Sequence, residues 1–269
     1  MGRSTTMDWL AAGFMSPAWH ERIEANKKRH FEEVLVHQAE DWDEDKTKFK
    51  KTLVLRSSTF VPFTLWEITP YRHVAGDGRR PDSFPANDRR FRQLSPNAWY
   101  SHMVLPRGTD IDLWQGHRRG TLYFDNDVVV PRITRADGKQ WMSYTPAEVL
   151  SQRQGLRLAV GTVVLGGLGM GWLLTKVCRK ATVKRVVVVE KDQGLLNAVG
   201  PQLRDLYPRD LAKVTDWICG DVYDHIGKFG SEARHLLDIW DSFPVYDRRF
   251  ELLRTRVPYL WGWGCLAER

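Results

Sequence analysis

Cysteine is scarce: the chain has three in 269 residues, Cys178, Cys219 and Cys265, odd in number and far apart. No C-x-x-C pair and no Cys/His ligand spacing occurs, which argues against a disulfide framework and a zinc site. Buried free thiols in a reducing compartment are the expectation. The N-terminus, Met-Gly-Arg-Ser, lacks the apolar run of a signal peptide, so cytoplasmic residence is expected. Long hydrophobic runs are nearly missing too. From Leu158 to Leu174 seventeen residues carry no charge, but five of them are glycines. Each glycine disfavours helix by roughly 1 kcal/mol, so a buried strand and tight turn fit this stretch better than a membrane span. Neither sign of charge dominates: 40 Lys+Arg against 33 Asp+Glu leave +7. Basic pairs such as Arg79-Arg80, Arg89-Arg90, Arg118-Arg119 and Arg248-Arg249 stand beside no nucleic-acid motif and read as solvated loops.

The remaining composition, 42% hydrophobic and 27% charged, excludes collagen-like, coiled-coil and wholly disordered classes. The length suits one large domain or two small ones. Twelve tryptophans are spread along the chain without a repeat. Residues 9–40 read as helix, opened by Ser16-Pro17 and carrying Ile23, Phe31, Val34, Leu35 and Ala39 as one buried stripe. The acidic run from Glu40 to Asp45 passes into the basic run Lys46–Lys51 as an exposed turn. Thr52 to Thr69 and Trp99 to Val130 are rich in β-formers, and between them a proline- and arginine-rich stretch, 70–96, reads as a long loop. Asp137-Gly138 marks a hairpin.

At Thr145 the pattern changes. Thr145-Pro146-Ala147-Glu148 is a capping box, predicting a helix to about Leu158. From there strand and helix alternate, which predicts a parallel sheet with helices on its faces. The chain is thus divided into an N-terminal helical and β-rich accessory region, 1–140, and an α/β unit, 141–269.

Thr162-Val163-Val164-Leu165 is the first buried strand, running into Gly166-Gly167-Leu168-Gly169-Met170-Gly171 and a helix from Trp172 to Arg179. Glycines let a ligand approach the backbone, and a helix N-terminus offers free N–H groups. The second strand, Arg185 to Val189, ends in Glu190, twenty-three residues after Gly167. An acid at that tip suits ribose hydroxyls. The glycines read G-x-G-x-G, not the G-x-G-x-x-G of dinucleotide folds. A third strand, Lys213 to Cys219, leads into Gly220-Asp221, where an acid can face an adenine amino group. A fourth, His235-Leu236-Leu237, leads into Asp238-Ile239-Trp240-Asp241, and Tyr259–Trp263 reads as a fifth. Trp240 suits either stacking on a substrate or core packing; His225 and His235 have no partner spacing and read as surface or satisfied core residues.

These pieces, Gly167-Leu168-Gly169-Met170-Gly171, Glu190, Gly220-Asp221 and Asp238-x-x-Asp241, resemble the Rossmann-like S-adenosylmethionine (SAM)-dependent methyltransferase superfamily, and within it the polyamine (spermidine) synthase-like branch. The resemblance covers roughly the C-terminal half. It implies a doubly wound, mainly parallel sheet and SAM as cofactor. The glycine loop would lie against the methionine part, Glu190 with Lys191 on the ribose, and Asp221 with Val222 near the adenine. Asp238 and Asp241 would act on the acceptor, with Asp238 also touching the cofactor. Leu165 stands where many methyltransferases carry an acid, as in polyamine synthases, but the residues before Thr145 do not reproduce the polyamine-binding signature. The reading is therefore a SAM-dependent methyltransferase of open acceptor, a small molecule ahead of nucleic acid, with aminopropyl transfer or a non-catalytic scaffold as alternatives. Superfamily sheets usually end in an antiparallel hairpin after the fifth strand; N-terminal β segments or a homodimer partner are expected to cover that edge instead.

Overall fold

The computed structural model describes residues 38–42, 49–55, 63–72, 89–108, 110–115, 118–124, 126–240, 245 and 247–265. Among the described residues the strands form three sheets. In the first, β1 (Gln38–Trp42), β2 (Phe49–Leu55), β6 (Asp110–Gln115) and β7 (Arg118–Phe124) run in the order β1-β2-β7-β6. In the second, β3 (Tyr71–Arg72), β5 (Ala98–Leu105), β8 (Val128–Arg135) and β9 (Gln140–Ser143) run in that order, with β4 (Phe91–Ser95) also on β5. The third contains β10 (Gly161–Gly166), β11 (Val183–Glu190), β12 (Val214–Cys219), β13 (Arg234–Leu237) and β14 (Leu260–Gly262), all parallel, in the order β12-β11-β10-β13-β14.

Valine explains the third sheet. Val163, Val164 and Leu165 of β10 and Val186 to Val189 of β11 are all buried, the continuous apolar run of strands covered on both faces. Helix α3 (Trp172–Arg179) crosses from β10 to β11, and α4 (Gln193–Leu206) from β11 toward β12. The order reverses at β10, whose neighbours are β11 on one side and β13 on the other. This is the Rossmann-like doubly wound arrangement, and its crevice opens at the carboxyl ends beside β10. The uncharged stretch 158–174 is thereby a strand, a turn and a helix start; among the described residues no helix is long and apolar enough to cross a membrane.

Several expectations are corrected. The helix after Thr145 is two helices, α1 (Pro146–Ser151) and α2 (Arg153–Leu158), broken at Gln152 where that side chain turns inward. Gly155 of α2 lies so close to the Trp261 ring that a Cβ would sit 2.5 Å from it. Residues 38–40 are strand rather than helix, and the rest of the predicted N-terminal helix lies outside the described residues. In the β1–β2 register Glu40 stands opposite Lys51 and Asp41 opposite Lys50; the turn between the runs lies outside the described residues. The stretch 70–96 holds β3 and β4, and residues 63–70 have no regular strand. The N-terminal strands build their own sheets: among the described residues β14 pairs only with β13. Cys219 is exposed, whereas Cys178 is buried as expected.

The second sheet packs on the third through α4. Ser95 Oγ donates to Asp192 Oδ2 (3.1 Å), Gln202 Nε2 donates to the Leu65 carbonyl (2.8 Å), and Phe63 stacks on Tyr207 at 5.6 Å. Tyr100, Ile133, Met170, Leu174 and Leu203 belong to one core shared by both sheets.

Candidate functional site

A cleft of about 470 Å³ opens over the carboxyl ends of the parallel sheet. Gly167 and Gly169, Glu190 and Lys191, Gly220 with Asp221 and Val222, and Asp238 with Trp240 line it from four successive strand tips. Its volume falls within the range of about 300–1,000 Å³ usual for small-molecule sites. The other loop residues, Leu168, Met170 and Gly171, line a smaller adjoining cavity of 20 Å³ instead. Asp241 lies outside the described residues.

Each glycine of the turn has positive φ, +88° at Gly167, +50° at Gly169 and +81° at Gly171. What fills the space of their missing Cβ differs. At Gly167 it would land on the Asp238 carbonyl oxygen, at Gly169 on the Met142 sulfur, and at Gly171 on Leu203. Gly171 is therefore explained by helix packing, whereas Gly167 lets the turn cross directly beside the β13 tip.

Glu190 pins this turn. It is 4% exposed; Oε2 accepts from the Leu168 N–H and Oε1 from the Asp192 N–H, both at 2.8 Å. Burial raises its pKa while these backbone donors oppose the rise. The Lys191 N–H is a third backbone donor to this carboxylate, which lines the cleft. Asp221 caps the next turn: Oδ1 accepts from the Tyr223 N–H at 3.1 Å, and Oδ2 faces Lys191 Nζ at 3.4 Å and Arg249 at 3.3 Å. Burial alone would raise its pKa, but the N–H and the two cations outweigh burial and hold it low.

Asp238 meets a partner that the sequence reading passed over. Gln152 Nε2 donates to Asp238 Oδ2 at 2.6 Å and to Glu148 Oε1 at 2.9 Å, bracketing two carboxylates with one amide. Desolvation, then the nearby Glu190 charge, pushes Asp238 up to about 7. Desolvation, then the Asp238 charge, pushes Glu148 up to about 8 against the Gln152 hydrogen bond. In the sequence Glu148 is the fourth residue of a capping box, a position that conceals this role. Thr145 Oγ1 does accept from the Glu148 N–H at 3.2 Å, but the glutamate side chain turns to the cleft.

The remaining wall comes from unexpected places. Arg135, Gln140, Trp141 and Met142 reach the cleft from β8 and β9, and the Met170 N–H meets the Met142 sulfur at 3.1 Å over the glycine turn. Asp247 and Arg249 enter from the start of α5 (Arg248–Arg254). Asp247 caps that helix and accepts from Tyr223 Oη (2.9 Å) and Trp240 Nε1 (3.2 Å), so the Trp240 indole is held at the wall. The only signal for Arg249 was the Arg248-Arg249 pair, and for Met142 there was none. Among the described residues no group of His, Cys, Asp and Glu could hold a metal ion. The protein itself fills the Cβ space at these glycines; what suits a SAM-type molecule is the cleft with the Glu190 and Asp221 carboxylates on its wall.

No family model matches the chain, and no curated protein does. Among solved structures, spermidine synthase from Thermotoga maritima is similar over 57% of this chain and 54% of its own, at 16% identity and a TM-score of 0.34. Trm5b from Pyrococcus abyssi is similar over 60% and 46%, at 10% identity and a TM-score of 0.30. The chain spans about half the length of each. Strand order, not these scores, identifies the Rossmann-like arrangement.

Proposed function

We propose that the chain is a SAM-dependent methyltransferase acting on an acceptor that carries an amine or hydroxyl. The reading rests on one coincidence. The glycine turn, buried Glu190 and Asp221 sit on the tips of β10, β11 and β12, around one cleft at the point where the sheet order reverses. When bound, SAM supplies an already activated methyl group, so the protein's task is alignment more than acid–base work. Glu190 would take the ribose hydroxyls, Lys191 would stand beside it, and Asp221 and Val222 would flank the base. Asp238, poised near neutrality, would accept the acceptor's proton. Asp241 would stand with it on the acceptor side.

Calorimetric titration of SAM into the full chain tests the reading. Binding that weakens at least tenfold in Glu190→Ala, with the fold retained by circular dichroism, supports it; no binding at millimolar SAM refutes it. Asp238→Ala, with the fold retained, should abolish methyl transfer to an identified acceptor. A second reading, aminopropyl transfer to a cationic amine, is favoured by the gathering of Glu148, Glu190 and Asp238 on the cleft wall. Turnover of putrescine with decarboxylated SAM, and none with SAM, would select it. A homodimer covering β14 remains part of the proposal, checked by sedimentation. Residence in the cytoplasm is proposed as well.

A further inference from the structure

The buried amide of Gln152 is only half used. Its Nε2 bridges Glu148 and Asp238, while its Oε1, in a residue 3% exposed, has no partner; Gln152 and both acids line the small cavity. The indole Nε1 of Trp172, another residue of that cavity's wall, has no partner either. Both acids also open on the main cleft.

Among the described residues the surrounding charges do not neutralise the pair. Glu190 approaches from the β11 tip with a third carboxylate. From the rim, Lys191 and Arg249 face Asp221, and Arg249 also approaches Asp247. Arg135 lies over the Trp141 ring at 5.6 Å. Two carboxylates joined by one amide donor, with no cation paired to them among the described residues, favour holding a proton.

We infer that Glu148, Gln152 and Asp238 form a charge-sensing subsite that gives up a proton when a positively charged sulfonium enters the cleft. The inference rests on the SAM reading of the cleft. In the exchange the O–H bond of the protonated pair breaks and its proton passes to buffer, leaving the bound positive charge against the carboxylate; no covalent bond of the ligand changes. Once the sulfonium has become a neutral thioether, the pair takes a proton back. The subsite thereby holds the donor and lets the spent product go.

A bound cation favours the charged carboxylates, so SAM affinity should rise with pH through the neutral range, whereas that of S-adenosylhomocysteine should stay flat. Titrating SAM, S-adenosylhomocysteine and putrescine into the full chain by calorimetry at pH 7, in buffers of different ionisation enthalpy, counts the protons. SAM should release about one proton more from the native chain than from Glu148→Gln, with S-adenosylhomocysteine showing no such difference. Asp238→Asn, checked for fold alongside, should lose the same release. SAM binding with equal proton counts in native chain and both variants would overturn the inference and leave the cofactor reading standing. Release with putrescine but not with SAM would also overturn it, assigning the subsite to an ammonium. No binding of either adenosyl compound would remove both.

Discussion

Gly167 and Gly161 both hold positive φ, +88° and +64°, yet only Gly167 is hemmed in. An added Cβ at Gly161 meets nothing within 4 Å, so Gly161→Ala carries conformational strain alone, about 1–2 kcal/mol. Gly167→Ala must also displace the Asp238 carbonyl, which adds overpacking of about 1–3 kcal/mol. Urea denaturation should therefore rank Gly167→Ala as clearly the more damaging, and SAM binding should fail only in that variant. Glu148 and Asp238 set a pH dependence. Their pKa values rise on folding from 4.5 to about 8 and from 3.8 to about 7. The folded chain then binds more protons than the unfolded one, so their contribution to stability is full below about pH 4, the unfolded range, and is lost as pH climbs through 7 to 8. Denaturation midpoints should fall over that span, and Glu148→Gln should flatten the slope. Gly167 and Glu190 were legible because a turn after a buried strand and an acid at the next tip have fixed spacing. Glu148 was not, because its capping-box position already accounted for it.

Asp192 and Tyr100 each tie elements together. Asp192 caps α4 through the Leu195 N–H at 2.8 Å and also accepts from Ser95. Asp192→Ala should cost about 1 kcal/mol of stability, in the range of lost caps, read from the urea midpoint. Tyr100 Oη accepts from the Leu65 N–H at 3.2 Å and meets His102 Nε2 at 3.0 Å, while His102 Nδ1 meets the Ile68 carbonyl at 3.1 Å. Tyr100→Phe leaves a buried N–H without a partner, costing about 1–3 kcal/mol, and should speed amide exchange at Leu65. The valine runs of β10 and β11 and the cap of α1 were readable because local pattern alone determines them. The role of Gln152 was not: its side chain bonds Asp238, eighty-six residues away, a contact that no local pattern shows.

At the scale of the molecule, the site is shared. The parallel sheet supplies the glycine turn and its acids, while β8 and β9 close the cleft with Arg135, Trp141 and Met142. The sequence showed the alternation that makes the parallel sheet, and so the strand tips, but not which N-terminal strand would lie over them. Long-range sheet packing leaves no local trace. Because Met142 lies over the turn, Met142→Ala should alter SAM affinity with little effect on the urea midpoint of the parallel sheet. The most direct measurement is a crystal structure of the chain grown with SAM. Density for the adenosyl group should lie between Glu190 and Asp221, with its sulfur end toward Asp238. An empty cleft at saturating ligand, or a ligand bound away from Glu190, would contradict it.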